Sequence, residues 1–175
     1  MKLSAYLFLL ACVLTACVSC SDSGTVAQSY RIQMYAFQVK DRDSITLPQI
    51  DAIKDYMVAR SKGLPGSEFE QRFEELGIEL RYGLSGSNEF SARDPAKLGQ
   101  EFLWPDDQSV LITASVGTSA KSNLFDVHLQ HKMHPLKQPE NEVLRAEKAA
   151  LAALDVPDLV AFKSGLIVAW IITTS

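Results

Sequence analysis

Apolar and polar residues alternate through residues 30–39. Tyr30, Ile32, Met34, Ala36 and Gln38 point one way; Arg31, Gln33, Tyr35, Phe37 and Val39 point the other. A period of two rich in β-branched and aromatic residues predicts a strand, apolar over much of both faces. Lys40-Asp41-Arg42-Asp43 then reads as a solvated turn. From Thr46 the period lengthens. Thr46 and Gln49 have capping-box spacing, Pro48 suits a first turn, and Ile50, Ile53, Tyr56 and Met57 give an apolar stripe. This helix stops at Gly63. A shorter one begins at Ser67, with Glu70 at capping-box spacing and Phe69, Phe73 and Leu76 as its stripe. Gly77 ends it as a left-handed cap.

The period returns to two at Ile78, Leu80, Tyr82 and Leu84, followed by a Gly- and Ser-rich turn over residues 83–88. Residues 99–104 read as a strand closed by Pro105-Asp106-Asp107, a turn sequence. Residues 109–132 read as an antiparallel hairpin, with strands over 109–116 and 124–132. Pro139 opens an Ala-, Glu- and Lys-rich stretch that predicts a third helix to about Leu154. Val143, Ala146, Ala150, Leu151 and Leu154 lie on its inner face, and Val156-Pro157 breaks it. Strands over 159–162 and 166–174 close the chain. The last is the most β-prone segment and reads as a central strand covered on both faces. The expected class is α+β: a mainly antiparallel sheet with about three helices packed on one face.

Ahead of this domain the pattern is of another kind. Lys2 precedes an apolar run from Leu3 to Val13, which ends in Leu14-Thr15-Ala16-Cys17. One positive charge, a short apolar core and small residues make a secretory signal. The run is too short for a spanning helix, which needs about 20 apolar residues. The four closing residues resemble the lipobox of bacterial lipoproteins: an aliphatic residue, two small ones, then the cysteine that receives lipid. The resemblance implies a signal peptide over 1–16, a lipidated Cys17, and attachment to an envelope membrane through acyl chains. Val18, the next residue, is not acidic, and so the resemblance implies the outer membrane. Cleavage after Cys20 is the competing reading. Residues 17–29, rich in Ser, Asp, Gly and Thr, read as a flexible tether, leaving 30–175 as one α+β domain.

Composition narrows the partners. The chain has 17 basic and 21 acidic side chains, and loss of Lys2 with the signal takes the net charge from −4 to −5. No dense basic patch occurs, which argues against nucleic-acid binding. All three cysteines (Cys12, Cys17 and Cys20) lie near the N-terminus. The domain therefore has no disulfide framework and no cysteine metal site.

Candidate chemistry is sparse. His128, His131 and His134 fall three apart. On a helix, His128 and His131 would share a face and could hold a metal. On a strand, His131 faces away from the other two, which stand about 20 Å apart. No nucleophile elbow or phosphate-binding glycine loop occurs, and the sequence calls for no cofactor. Glu74-Glu75 and Asp106-Asp107 are adjacent pairs that diverge in space. Phe73-Glu74-Glu75-Leu76-Gly77-Ile78-Glu79-Leu80 resembles a passage of secretin-type outer-membrane proteins; the later pore motifs of that family do not follow, and the passage implies no function here. The expectation is a non-enzymatic, lipid-anchored envelope protein that binds a partner protein or envelope component. The alternative is a lipid-anchored hydrolase or metal-dependent enzyme using the histidine segment.

Overall fold

Two antiparallel sheets lie face to face, and helices cover the outer face of the first. The computed structural model describes residues 28–40, 45–104, 108–121, 123–135, 144–162 and 164–175. β1 (Tyr30–Val39) keeps the alternation expected of it. Ile32, Met34 and Ala36 enter the core between the sheets, while Phe37 and Val39 enter the core beneath the helices. β1 pairs along its length with the last strand, β10 (Leu166–Thr174), from Tyr30↔Thr174 to Gln38↔Leu166. β10 is central, with β9 (Asp158–Ala161) on its other side. Its even-numbered residues from Leu166 to Ile172 pack between the sheets; Ile167, Ala169 and Ile171 pack under the helices. The expected coverage on both faces is what the strand has.

α1 (Leu47–Ser61) buries Ala52, Ile53, Tyr56 and Met57. Its first turn buries Gln49 in place of the expected Ile50, which is only half-buried. The reason is a hydrogen-bonded tie. Gln49 Oε1 accepts from the Thr46 backbone N–H at 2.9 Å, and Nε2 donates to the Leu76 carbonyl at 2.9 Å. Its amide thus pins the start of α1 to the end of α2 (Glu70–Glu75), which follows a 3-10 turn over Gly66–Phe69. Phe73 fills the gap below, and Gly77, at φ +64°, turns the chain into β2 (Ile78–Gly83).

The stretch expected to be a Gly- and Ser-rich turn carries two short strands. β3 (Ser85–Ser87) crosses to the second sheet and pairs with β5 (Ala96–Trp104); β4 (Glu89–Phe90) returns to β1 beside Tyr30 and Arg31. Gly86 makes the crossing possible. It sits at φ +139°, and a Cβ there would lie 2.3 Å from the Lys97 carbonyl oxygen.

The second sheet runs β3-β5-β6-β7-β8. β6 (Gln108–Thr118) and β7 (Leu124–Pro135) form the expected hairpin, in register from Gln108↔Pro135 to Thr118↔Phe125. β8 (Leu144–Ala153) replaces the predicted third helix; residues 139–143 lie outside the described residues. Two α-helices, not three, accompany the sheets among the described residues. The physical reason is that helix propensity is a weak prior. Ala146 and Ala150 are four apart, which suits a helix. With Ala152 and Leu154 they also fall on one face of a strand, and that face packs on the inter-sheet core. β8 pairs with β7 from Leu124↔Ala153 to Met133↔Leu144, so the open backbone of β7 is satisfied by this strand. Lys148 lies opposite the buried Leu129 and is itself exposed. A charge on the inner side of an edge strand discourages further strand addition.

Candidate functional site

The histidine segment lies on β7, and the strand separates its members as the alternation requires. His128 is exposed on the outer face between Ser115 and Ala149. His134 is half-buried opposite Ser109, on the same face as His128. His131 points inward and is 5% exposed, its ring 5.0 Å from that of Phe162. The three do not converge. Among the described residues, no group of three or more His, Cys, Asp or Glu side chains is placed to hold a metal ion. Cys17 lies outside the described residues.

His131 has a structural consequence instead. Its Nε2 is buried without a hydrogen-bond partner, and burial pushes its pKa below the usual imidazole value of 6.5. The native state therefore resists protonation while the unfolded chain accepts the proton near its normal pKa. Stability from this site is full above pH 6.5 and is lost as the pH falls through the window between the unfolded and the lower folded pKa. Urea melts at pH 7.5 and 5.5 are expected to show a loss in the parent that exceeds the loss in His131→Leu. Equal losses in the two proteins would contradict this assignment.

A concavity of ligand size lies elsewhere, between the helices and β2. It encloses about 750 Å³. Its floor is aromatic. Tyr56, on α1, is 3% exposed and meets four rings at centroid distances of 5.4 to 5.6 Å: Tyr35, Phe37, Phe69 and Phe73. Three of these contacts are edge-on, the arrangement that aromatic quadrupoles favour. Ile78 and Leu80 of β2 extend the apolar surface, and Leu80 is 38% exposed.

Charged groups ring this floor. Arg60, one turn beyond Tyr56, donates from Nη1 to the Leu64 carbonyl at 2.8 Å and from Nε to the Tyr35 hydroxyl at 3.5 Å. Lys40 stands at the end of the cleft near Gly77. Glu70 and Glu74, four apart on α2, also line the cleft, as does Glu79 of β2. Their neighbour Arg72 is engaged elsewhere, with Asp55 at 2.7 Å. Burial raises the pKa of the Tyr56 hydroxyl, as does Tyr35; the Arg60 charge acts in the opposite direction. The phenol therefore stays protonated and able to donate.

Gly66 also belongs to the cleft. A Cβ at this position would lie 3.1 Å from Tyr56 Cε2 and 3.3 Å from its hydroxyl oxygen. The absence of a side chain keeps the space over that hydroxyl open. In the sequence Tyr56 reads as one more residue of an apolar helical stripe, and Arg60 and Gly66 carry no motif. The available signal is slight: a tyrosine and an arginine one helical turn apart, followed by a glycine-bounded loop. A smaller hollow of about 360 Å³ lies on the outer face of the second sheet, among Lys97, Thr113, Ser115 and His128. Comparison with protein-family models, curated proteins and solved structures finds no match to this chain.

Proposed function

We propose that this chain is a non-enzymatic, lipid-anchored protein of the bacterial envelope that binds a partner protein or an envelope component. The observation that carries the reading is Leu14-Thr15-Ala16-Cys17 directly after an apolar run of signal-peptide length. Acylation of Cys17 supplies the membrane attachment, and the non-acidic Val18 favours the outer membrane. The cleft beneath the helices supports a binding role: it is concave, with Tyr56, Phe73, Ile78 and Leu80 as its apolar part and five charged residues around them. The alternative enzyme loses support from the histidines, which face opposite sides of the second sheet.

The tether sets a working radius. About 13 residues join Cys17 to Tyr30, a fully extended reach of about 45 Å. Partners are therefore sought within one or two domain diameters of the membrane. In the native host, the parent protein is expected in the membrane fraction, and Cys17→Ser is expected to accumulate as the longer precursor. Immunoblots of fractionated cells read both. Normal processing of Cys17→Ser to a soluble product would refute the anchoring.

A further inference from the structure

We infer that the cleft beneath the helices is a receptor for a short peptide with both termini free. The carboxylate meets Tyr56 and Arg60, and the ammonium meets Glu70 and Glu74.

Three observations converge. First, Tyr56 is 3% exposed, yet its hydroxyl makes no hydrogen bond within the described residues. The ring is buried but the hydroxyl oxygen is not: it opens on the cleft, so its hydrogen-bonding capacity is directed there. Second, Gly66 leaves room beside that hydroxyl, and even a methyl group there would crowd it. The glycine is not needed for its backbone conformation, since its φ lies outside the positive range. Third, charges of both signs line the cleft. Arg60 follows Tyr56 by one helical turn, and a guanidinium beside a hydroxyl donor suits a carboxylate. Glu70 and Glu74 form no ion pair within the described residues, so both are available to a cation.

A purely anionic ligand would meet the carboxylates of Glu70, Glu74 and Glu79, and a purely cationic one would meet Arg60 and Lys40. A dipolar ligand satisfies both. The apolar floor around Phe73 takes a side chain between its two charged ends. The volume of about 750 Å³ falls in the range of small-molecule sites.

This proposal specifies the ligand of the binding reading above, and its test is independent of anchoring. The protein is purified from whichever fraction holds it and titrated with the tripeptide Ala-Leu-Ala by calorimetry and by amide chemical shifts. Saturable binding is expected between about 10 μM and 1 mM, as the atom count of a tripeptide allows. The shifts should centre on Gly66. Amidating the carboxyl group or acetylating the amino group should each weaken binding about tenfold, the effect of one lost charge-assisted contact. Gly66→Ala should do likewise. So should the double variant Glu70→Gln, Glu74→Gln, whose exposed positions leave folding intact. Absence of saturable binding at about 10 mM peptide, or unchanged affinity in both variants, would overturn the proposal while leaving the Cys17 result untouched. Equal affinity for the acetylated peptide would also overturn it, by showing that the ammonium is not read.

Discussion

Deletion of residues 166–175 is expected to abolish cooperative unfolding of the protein. These residues form β10, which lies between β1 and β9 and contributes buried side chains to both cores. The seven residues from Leu166 to Ile172 are each at most 2% exposed. Burying a large apolar side chain contributes about 1.5–3 kcal/mol, whereas a whole domain is stable by about 5–15 kcal/mol. Losing the seven, Trp170 among them, removes an amount of the same order as the total. The backbone loss compounds it. β1 would forfeit its pairing from Tyr30 to Gln38, and β9 its only neighbour in the first sheet. Circular dichroism of the truncated chain is the measurement, with a broad, non-cooperative thermal trace as the expected result. The opposing idea is that the segment is a docking strand for another protein's sheet edge. A native-like spectrum with a sharp melt would establish that role and reject the core assignment.

β10 was readable because nothing competes with its reading. Ile167, Val168, Trp170, Ile171 and Ile172 favour a strand, and a run so apolar must be covered on both sides. The hairpin of β6 and β7 was readable for a related reason, two β-prone runs with a polar loop between them. β8 was not. Its alanines, glutamate and lysine are good helix formers, and its apolar spacing fits a helix and a strand equally. What decides is the unpaired edge of β7, which local sequence does not display. β3 and β4 were hidden by brevity. Ser85-Gly86-Ser87 has turn composition, and only its pairing with Lys97, Leu98 and Gly99 makes it a strand. The candidate site divides the same way. Strand alternation alone was enough to separate His131 from His128 and His134. The cleft requires the packing of α1, α2 and β2 around Tyr56, a residue whose hydroxyl matters only once its surroundings are known.

Tyr56 then gives the sharpest separation between folding and recognition. Tyr56→Ala is expected to destabilise the protein by about 3–5 kcal/mol, the usual cost of truncating a buried aromatic ring. Four rings surround it, and the cavity would open at the junction of α1, α2 and the first sheet. Tyr56→Phe is expected to behave differently. It keeps the ring contacts and removes a hydroxyl that has no hydrogen-bond partner within the described residues. The hydroxyl opens on the cleft, so its removal breaks no hydrogen bond within the described residues. Stability should therefore stay within about 0.5 kcal/mol of the parent or rise above it. Equilibrium urea unfolding of the three proteins reads both numbers. A loss of about 2 kcal/mol in Tyr56→Phe would show that the hydroxyl is bonded in the folded protein and would remove the argument that a ligand completes it. With stability held, the same variant should lose affinity for Ala-Leu-Ala, since the group deleted is one the fold leaves unused.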